Sequence, residues 1–283
     1  MSKPSQGPAA GVWIAILIVV FCLGLACGKK ESTEEEAKTT EVREAQKAQV
    51  VQAYGKLPLT FTENRGQMAE PVRFYIRGSR GTVYYTPEEV VYDVVERTGE
   101  ERERKPHEDR PEMARPDTTV RRKGVVVRMK LEGANSSVVL EGVDEHEGKV
   151  NIFRGKDPSQ WKTGIRTFGG IVYRELYPGV DLAYHGRGGR LAQKLTVGPG
   201  GEVESVTFRY EGAERVSLDQ DGNLRIETAL GSITEPKPFC YQEKKGEKVE
   251  VKGGYRMLAE DTVGFEVGKY KKKQPLFIST GEN

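Results

Sequence analysis

The stretch Val150–His185, VNIFRGKDPSQWKTGIRTFGGIVYRELYPGVDLAYH, decides how the rest of the chain is read. It holds Trp161, one of two tryptophans, with Phe153, Phe168, Tyr173, Tyr177 and Tyr184, and is punctuated by Asp157-Pro158, Gly169-Gly170 and Pro178-Gly179. Aromatic side chains bury the largest area per residue, and such dipeptides mark turns, so the segment predicts a β-rich core.

The same signature spreads outward in both directions. Residues 57–67 predict a short strand entering a polar turn, 72–77 and 82–85 a hairpin across Gly78-Ser79-Arg80-Gly81, and 89–95 a further strand. Val125, Val127, Met129 and Leu131 fall on one face of an alternating run, with Arg128 and Lys130 on the other. Val206, Phe208 and Tyr210 repeat this pattern, as do Leu224 with Ile226, Val249 with Val251, Tyr255 with Met257, and Val263, Phe265 and Val267. Many short alternating runs separated by Gly and Pro predict an all-β chain: an antiparallel β-sandwich, or two stacked sandwich-like lobes. The β-rich domain is expected over 55–278, with lobes 55–145 and 146–278 dividing near 143–149 and residues 279–283 as a tail. Within it, residues 96–123 carry interleaved charges with Pro106, Pro111 and Pro116 and predict a long, mobile, solvated loop.

The N-terminus sets a different expectation. Residues 8–27 contain no charge, are preceded by Lys3, and are followed by Gly28-Lys29-Lys30. Residues 1–27 therefore read as a signal peptide or membrane anchor with a leader helix, outside the fold. In one outcome Gly24-Leu25-Ala26-Cys27 is a lipobox and Cys27 is the lipid-attachment residue of a lipoprotein; Ala26 fits, while Gly24 stands where a branched apolar residue is expected. In the other, the run stays as an uncleaved span. The shortness of the run favours the first. Residues 28–54 are charged and nearly free of large apolar side chains, which predicts a disordered tether. The domain is thus expected in a bacterial cell envelope, membrane-anchored and facing the periplasm or exterior, with the membrane as a partner through the N-terminus.

Composition excludes some functions. With 44 Lys and Arg against 42 Asp and Glu, the net charge of +2 offers no concentrated basic face, so no nucleic-acid partner is expected. Outside the leader, Cys240 is the single cysteine; it predicts no internal disulfide and reads as a small buried hydrophobe rather than a nucleophile.

Candidate chemistry is sparse. Asp219-Gln220-Asp221-Gly222-Asn223 resembles the opening of a calcium loop, but strand-like sequence flanks it, so a hairpin turn is the better account. The glycines at 186, 188, 189, 198, 200 and 201 suit tight turns, with no following helix to bind phosphate. His107, His146 and His185 show no spacing that would converge on a zinc or triad site. No metal or cofactor is implied. Asp157, Asp181 and Glu175 could pair as glycosidase carboxylates, although turn and strand-end roles explain them more simply. Trp161, Tyr173, Tyr177 and Tyr184 are the candidate ligand-binding residues, as a sugar-stacking platform if exposed together; core packing is the competing account.

A resemblance emerges from particular residues. Phe61, Glu63-Asn64-Arg65-Gly66-Gln67, Val150-Asn151-Ile152-Phe153, Gly155, Asp157-Pro158-Ser159, Trp161, Thr163, Tyr173 and Leu176-Tyr177-Pro178-Gly179-Val180-Asp181-Leu182 resemble a domain of unknown function in secreted bacterial proteins. That domain usually precedes SBBP-type β-propeller repeats. The similarity continues through Leu191–Val197, Asp221-Gly222, Tyr241-Gln242 and Pro275-Leu276, and spans 57–278. Where the family pattern leads on into a propeller, Ile278 here is followed by Ser279-Thr280-Gly281-Glu282-Asn283, so the leading module alone is expected. The resemblance implies an exported β module and transfers no catalytic residue. The resulting expectation is a non-enzymatic module for binding or surface assembly, its partner a protein or glycan. A carbohydrate-binding or adhesive module and a glycan hydrolase are the alternatives.

Overall fold

The structure, a computed structural model, describes residues 59–98, 121–187 and 189–281. The leader with Cys27, the tether and most of the 96–123 segment, including His107, lie outside the described residues. Twenty strands and two short 3₁₀ turns account for the regular structure within them.

In chain order the first strands are β1 (Phe61–Glu63), β2 (Phe74–Gly78), β3 (Gly81–Tyr85), β4 (Glu89–Thr98), β5 (Arg121–Glu132), β6 (Val139–Glu145), β7 (Val150–Ile152) and β8 (Lys162–Ile165). The aromatic stretch supplies β9 (Thr167–Tyr177) and β10 (Val180–Arg187), followed by β11 (Arg190–Val197) and β12 (Thr207–Glu211). The last third forms β13 (Arg215–Leu218), β14 (Leu224–Thr228), β15 (Gly231–Glu235), β16 (Phe239–Lys244), β17 (Glu247–Val251), β18 (Gly253–Met257), β19 (Thr262–Val267) and β20 (Leu276–Ser279).

Fifteen strands join one antiparallel sheet in the order β17-β16-β20-β11-β10-β9-β1-β2-β3-β4-β5-β12-β19-β18, with β6 attached to β9. The protein is all-β and the sheet is open. It curls so that β9, β10 and β11 face β3, β5 and β12 across one core. Tyr184 of β10 lies 5.1 Å from Tyr85 of β3, which also meets Phe61 at 5.5 Å. A second sheet, β13-β14-β15, inserts Val216, Leu224 and Ile226 into the same core, and β7 pairs with β8 in an outlying ribbon.

The sheet runs through the region 143–149 without a break. β1 pairs with β9 and β5 with β12, so strands from both sides of this region alternate in one ladder. The reason is topological: β6 returns directly onto β9, which ties the two halves together. The expected loop at 96–123 is also shorter than its composition indicates. β4 and β5 remain paired out to Thr98↔Arg121, because a ladder needs backbone donors and acceptors and not apolar side chains. Nor do Gly169 and Gly170 form a turn. They lie inside β9, where β6 and β10 press from both sides: a Cβ on Gly170 would sit 2.9 Å from the Tyr184 carbonyl.

Two of the motifs that carry the resemblance have structural work. In Glu63-Asn64-Arg65-Gly66-Gln67, Asn64 Nδ2 donates to the Val72 and Ala69 carbonyls at 2.8 and 3.0 Å, and its Oδ1 accepts from Gly66 and Met68. Arg166 grips Glu63 through Nε and Nη2, so the turn is fixed to β8–β9. In Leu176–Leu182, Pro178-Gly179 makes the turn between β9 and β10, with Gly179 at φ +69°. The Tyr177 hydroxyl reaches across the core to the Glu132 carbonyl at 3.0 Å and the Thr207 carbonyl at 3.1 Å. Burial pushes this phenol up to about 12, so it remains a donor. Tyr177→Phe keeps the ring but leaves the buried carbonyls short of a donor, and is expected to cost about 1–3 kcal/mol in urea unfolding. An unchanged midpoint would show that the hydroxyl bond contributes nothing.

Candidate functional site

The predicted aromatic platform does not assemble. Tyr173, Tyr177 and Tyr184 are 0%, 1% and 2% exposed, in the core, whereas Trp161 is 38% exposed on the outlying β7–β8 ribbon. Burial of three rings on one inward face outweighs any exposed role for them, as alternation along β9 and β10 requires. Trp161 stacks edge-to-face on Phe153 at 5.1 Å, and its Nε1 donates to the Gly155 carbonyl.

The other sequence candidates have structural partners. Asp157 caps the 3₁₀ turn Pro158–Gln160, accepting from the Ser159 amide at 2.9 Å. Asp181 Oδ1 accepts from the Glu175 amide and Oδ2 from Arg174, while Glu175 Oε2 accepts from the Gly179 amide. Asp219 closes the β13–β14 hairpin: its Oδ1 accepts from the amides of Asp221 and Asn223, and its Oδ2 from Asn223 Nδ2. His146 lies 3.5 Å from Thr167 Oγ1, and His185 lies on β10. Cys240 is buried, and burial pushes its thiol up to about 11, away from nucleophilic character.

A site that none of these residues announced lies along β15. The two-residue turn Ala229-Leu230 joins β14 to β15, with Gly231 at φ +111°. The register places Glu235 opposite Leu224 and Ile233 opposite Ile226. Leu224 and Ile226 are buried at 0% and 1% exposure, so Glu235 and Ile233 share their inward face. An acid is thereby carried to the edge of the core.

There it meets a ring of hydroxyls and an amide. Gln193 Nε2 donates to Glu235 Oε2 at 3.1 Å, the Tyr255 hydroxyl to the same oxygen at 3.3 Å, and Tyr92 lies 3.5 Å from Oε1. Tyr255 also accepts from Gln193 at 3.2 Å, so three groups from β11, β15 and β18 hold one another. Withdrawal from water raises the carboxyl from 4.5 to about 6, against the lowering effect of these donors. Burial lifts Tyr92, Tyr184 and Tyr255 well above the usual phenol value, so the ring stays protonated.

The carboxyl opens onto a cleft. A cavity of about 660 Å³ is lined by Tyr92, Tyr184, Gln193, Glu235, Thr280 and Gly281, with the exposed Arg187 and Arg190 also lining it. A second, of about 350 Å³, is walled by apolar Leu59, Ile76, Val83, Val94, Leu230 and Ile233. Val83, Tyr92, Leu191 and Ile233 line both. The hydroxyl of Tyr184 is buried and has no hydrogen-bond partner among the described residues, as is true of Tyr85 and Tyr210 deeper in. Apolar walls with a few convergent polar groups form the surface that small and extended ligands fit. β15 offered little signal: Gly231-Ser232-Ile233-Thr234-Glu235 has one large apolar residue, and its alternation is visible only once Glu235 is counted as inward-facing.

The described residues form an all-β fold with an open curled sheet and, beside β15, a cleft with apolar walls and a few convergent polar groups. A family model described as a domain of unknown function (DUF7948) matches residues 61–279, and the chain belongs to that family. No curated protein and no solved structure matches it.

Because folding raises the Glu235 pKa from 4.5 to about 6, the folded chain holds that proton more tightly than the unfolded one. Its contribution to stability is therefore greatest in acid, declines as pH rises from about 4.5 through about 6, and is level above; the full span is about 2 kcal/mol. Glu235→Gln removes the titration. The stability difference, variant minus wild type, should grow in the variant's favour across this window in melts from pH 4 to 8; parallel curves would show that the carboxyl is not withdrawn from water.

Proposed function

We propose that this chain is a non-enzymatic binding module on the outer side of a bacterial membrane, held there by residues 1–27 through the tether 28–54, with the cleft beside β15 as its ligand site. The observation that carries the reading is Glu235: an acid kept among Tyr92, Tyr255 and Gln193, at an open cavity where the Tyr184 hydroxyl has no partner among the described residues. Holding such a group costs stability in the free protein, and a ligand that donates to it recovers that cost. Among the described residues lining the cavity, Glu235 is the one carboxylate, beside hydroxyls, an amide and two arginines, an arrangement suited to binding rather than to a paired acid and base. The carboxylates of the hydrolase alternative, Asp157, Glu175 and Asp181, bond to backbone amides and Arg174.

The outward address rests on the uncharged run 8–27 with its terminal Cys27, and on the resemblance to modules that precede SBBP-type propellers in secreted bacterial proteins. No helix among the described residues is long and apolar enough to cross a membrane. Fractionation and mass spectrometry of the N-terminus test the outward address. The expected result is a membrane-associated chain beginning at lipid-modified Cys27 and released by Cys27→Ser; a cytosolic chain with unmodified Met1 would overturn it.

A second reading has its own observation. Phe153, 62% exposed, and Trp161 form an aromatic pair on the β7–β8 ribbon, the kind of surface on which a sugar ring stacks. On a glycan array, Trp161→Ala should abolish any signal the wild type gives; a wild type that binds no sugar removes this reading.

A further inference from the structure

We infer that the cleft's ligand is an extended peptide that adds as a strand to the free edge of β15, placing a Lys or Arg side chain on Glu235 and an apolar side chain two residues away in the cavity beside Ile233. The inference rests on the cleft being the binding site and specifies what enters it.

The edge comes first. β15 pairs with β14 on one side and with no other strand among the described residues. In a two-residue hairpin the closing pair, here Thr228↔Gly231, is hydrogen-bonded, and hydrogen-bonded pairs then alternate along the ladder. Ile233 and Glu235 thus bond toward β14, while the amides and carbonyls of Ser232 and Thr234 point away from it, along the cleft. The opposite wall also has an edge with no strand partner among the described residues. β20 pairs with β11 over Lys194–Val197, and Thr280 continues to Gln193, but Arg190–Ala192 run on beyond that pairing. A slot between two strand edges presents backbone donors and acceptors in the geometry that strand addition uses.

Side-chain chemistry then selects the sequence. A strand added to β15 alternates faces with it, so its inward residues stand opposite Glu235, Ile233 and Gly231 in steps of two. Opposite Glu235 the pocket holds a carboxylate, tyrosine rings and a glutamine amide, with the exposed Arg187 and Arg190 also lining the cavity, so a cationic head is favoured where an apolar stem carries it past them to the carboxylate. The cavity beside Ile233 has Leu59, Ile76, Val83 and Leu230 among its walls, which take an aliphatic or aromatic side chain, while Arg80 stands beside Gly231. The outward residues face Ser232 and Thr234, both exposed, and carry no such demand.

The test uses the full chain in detergent micelles. Selection from a phage-displayed library of random peptides of about ten residues should enrich sequences with Lys or Arg two positions from Val, Ile, Leu or Phe. Synthetic versions should bind at least about tenfold more weakly to Glu235→Gln and to Thr234→Pro, which removes an edge donor, and unchanged to Trp161→Ala. Melts and near-ultraviolet dichroism confirm that each variant is folded. No enrichment, or enriched peptides that bind Glu235→Gln or Thr234→Pro as they bind wild type, would overturn the inference. A parallel ligand-observed NMR screen of primary amines against wild type and Glu235→Gln separates the two levels. Amines that bind in a Glu235-dependent way while no peptide does would leave the cleft a binding site and refute the strand; silence in both screens would refute both.

Discussion

The molecule depends on a set of tyrosines long enough to cross the core and still find a hydrogen bond on the far side. A single open sheet has to bury one face against itself, and nothing closes the ladder to enforce this. Tyr173 reaches from β9 to the Thr86 carbonyl at 2.9 Å, and Tyr177 from the end of the same strand to carbonyls of Glu132 and Thr207. Each buries an aromatic body and delivers a directional bond at its tip, so the two layers are fixed in spacing as well as attracted. With the layers fixed this way, Phe61, Tyr85 and Tyr184 pack in the gap, and the small β13–β15 sheet fits over the remaining inner surface.

The same device explains why the site is where it is. Tyr173 and Tyr177 end on carbonyls, whereas the Tyr184 hydroxyl has no partner among the described residues and lies beside a cavity. Glu235 stands at that place. An acid at the boundary of a core is costly unless it is satisfied, and here, among the described residues, Gln193 and Tyr255 satisfy one oxygen while the other has the long approach of Tyr92. The carboxylate is therefore oriented and incompletely bonded, the condition in which a group discriminates between ligands.

Most of the fold was legible because its rule is local. Period-two alternation marked β2, β3, β5, β12, β14 and β17 through β19, and Pro178-Gly179 and Asp219–Asn223 marked their hairpins. What escaped depends on contacts made far along the chain. Gly169-Gly170 reads as a turn in isolation and becomes a strand interior because β6 and β10 crowd it. The expected division near 143–149 is crossed by β9's pairing with β1, which no local pattern encodes. For the site, the aromatics of β9 and β10 were visible but their direction was not: Tyr173, Tyr177 and Tyr184 point inward, and Trp161 outward. Glu235 was not legible at all, because a charged residue in a short polar strand reads as surface until its cross-strand neighbours are known to be buried.

An open sheet has edges, and exposed edges invite indiscriminate pairing with other chains. At one end, β17 reads Glu247-Lys248-Val249-Glu250-Val251, with the first four residues exposed and charges of both signs flanking Val249. A stranger's strand laid there would have to accommodate those charges, which discourages aggregation. β15 has Ser232 and Thr234 outward and recesses its acid, so that edge carries no comparable barrier. Two of the molecule's edges are thus treated unequally: β17, at one end of the large sheet, is guarded by charge, and β15, at the margin of the small sheet, is left receptive.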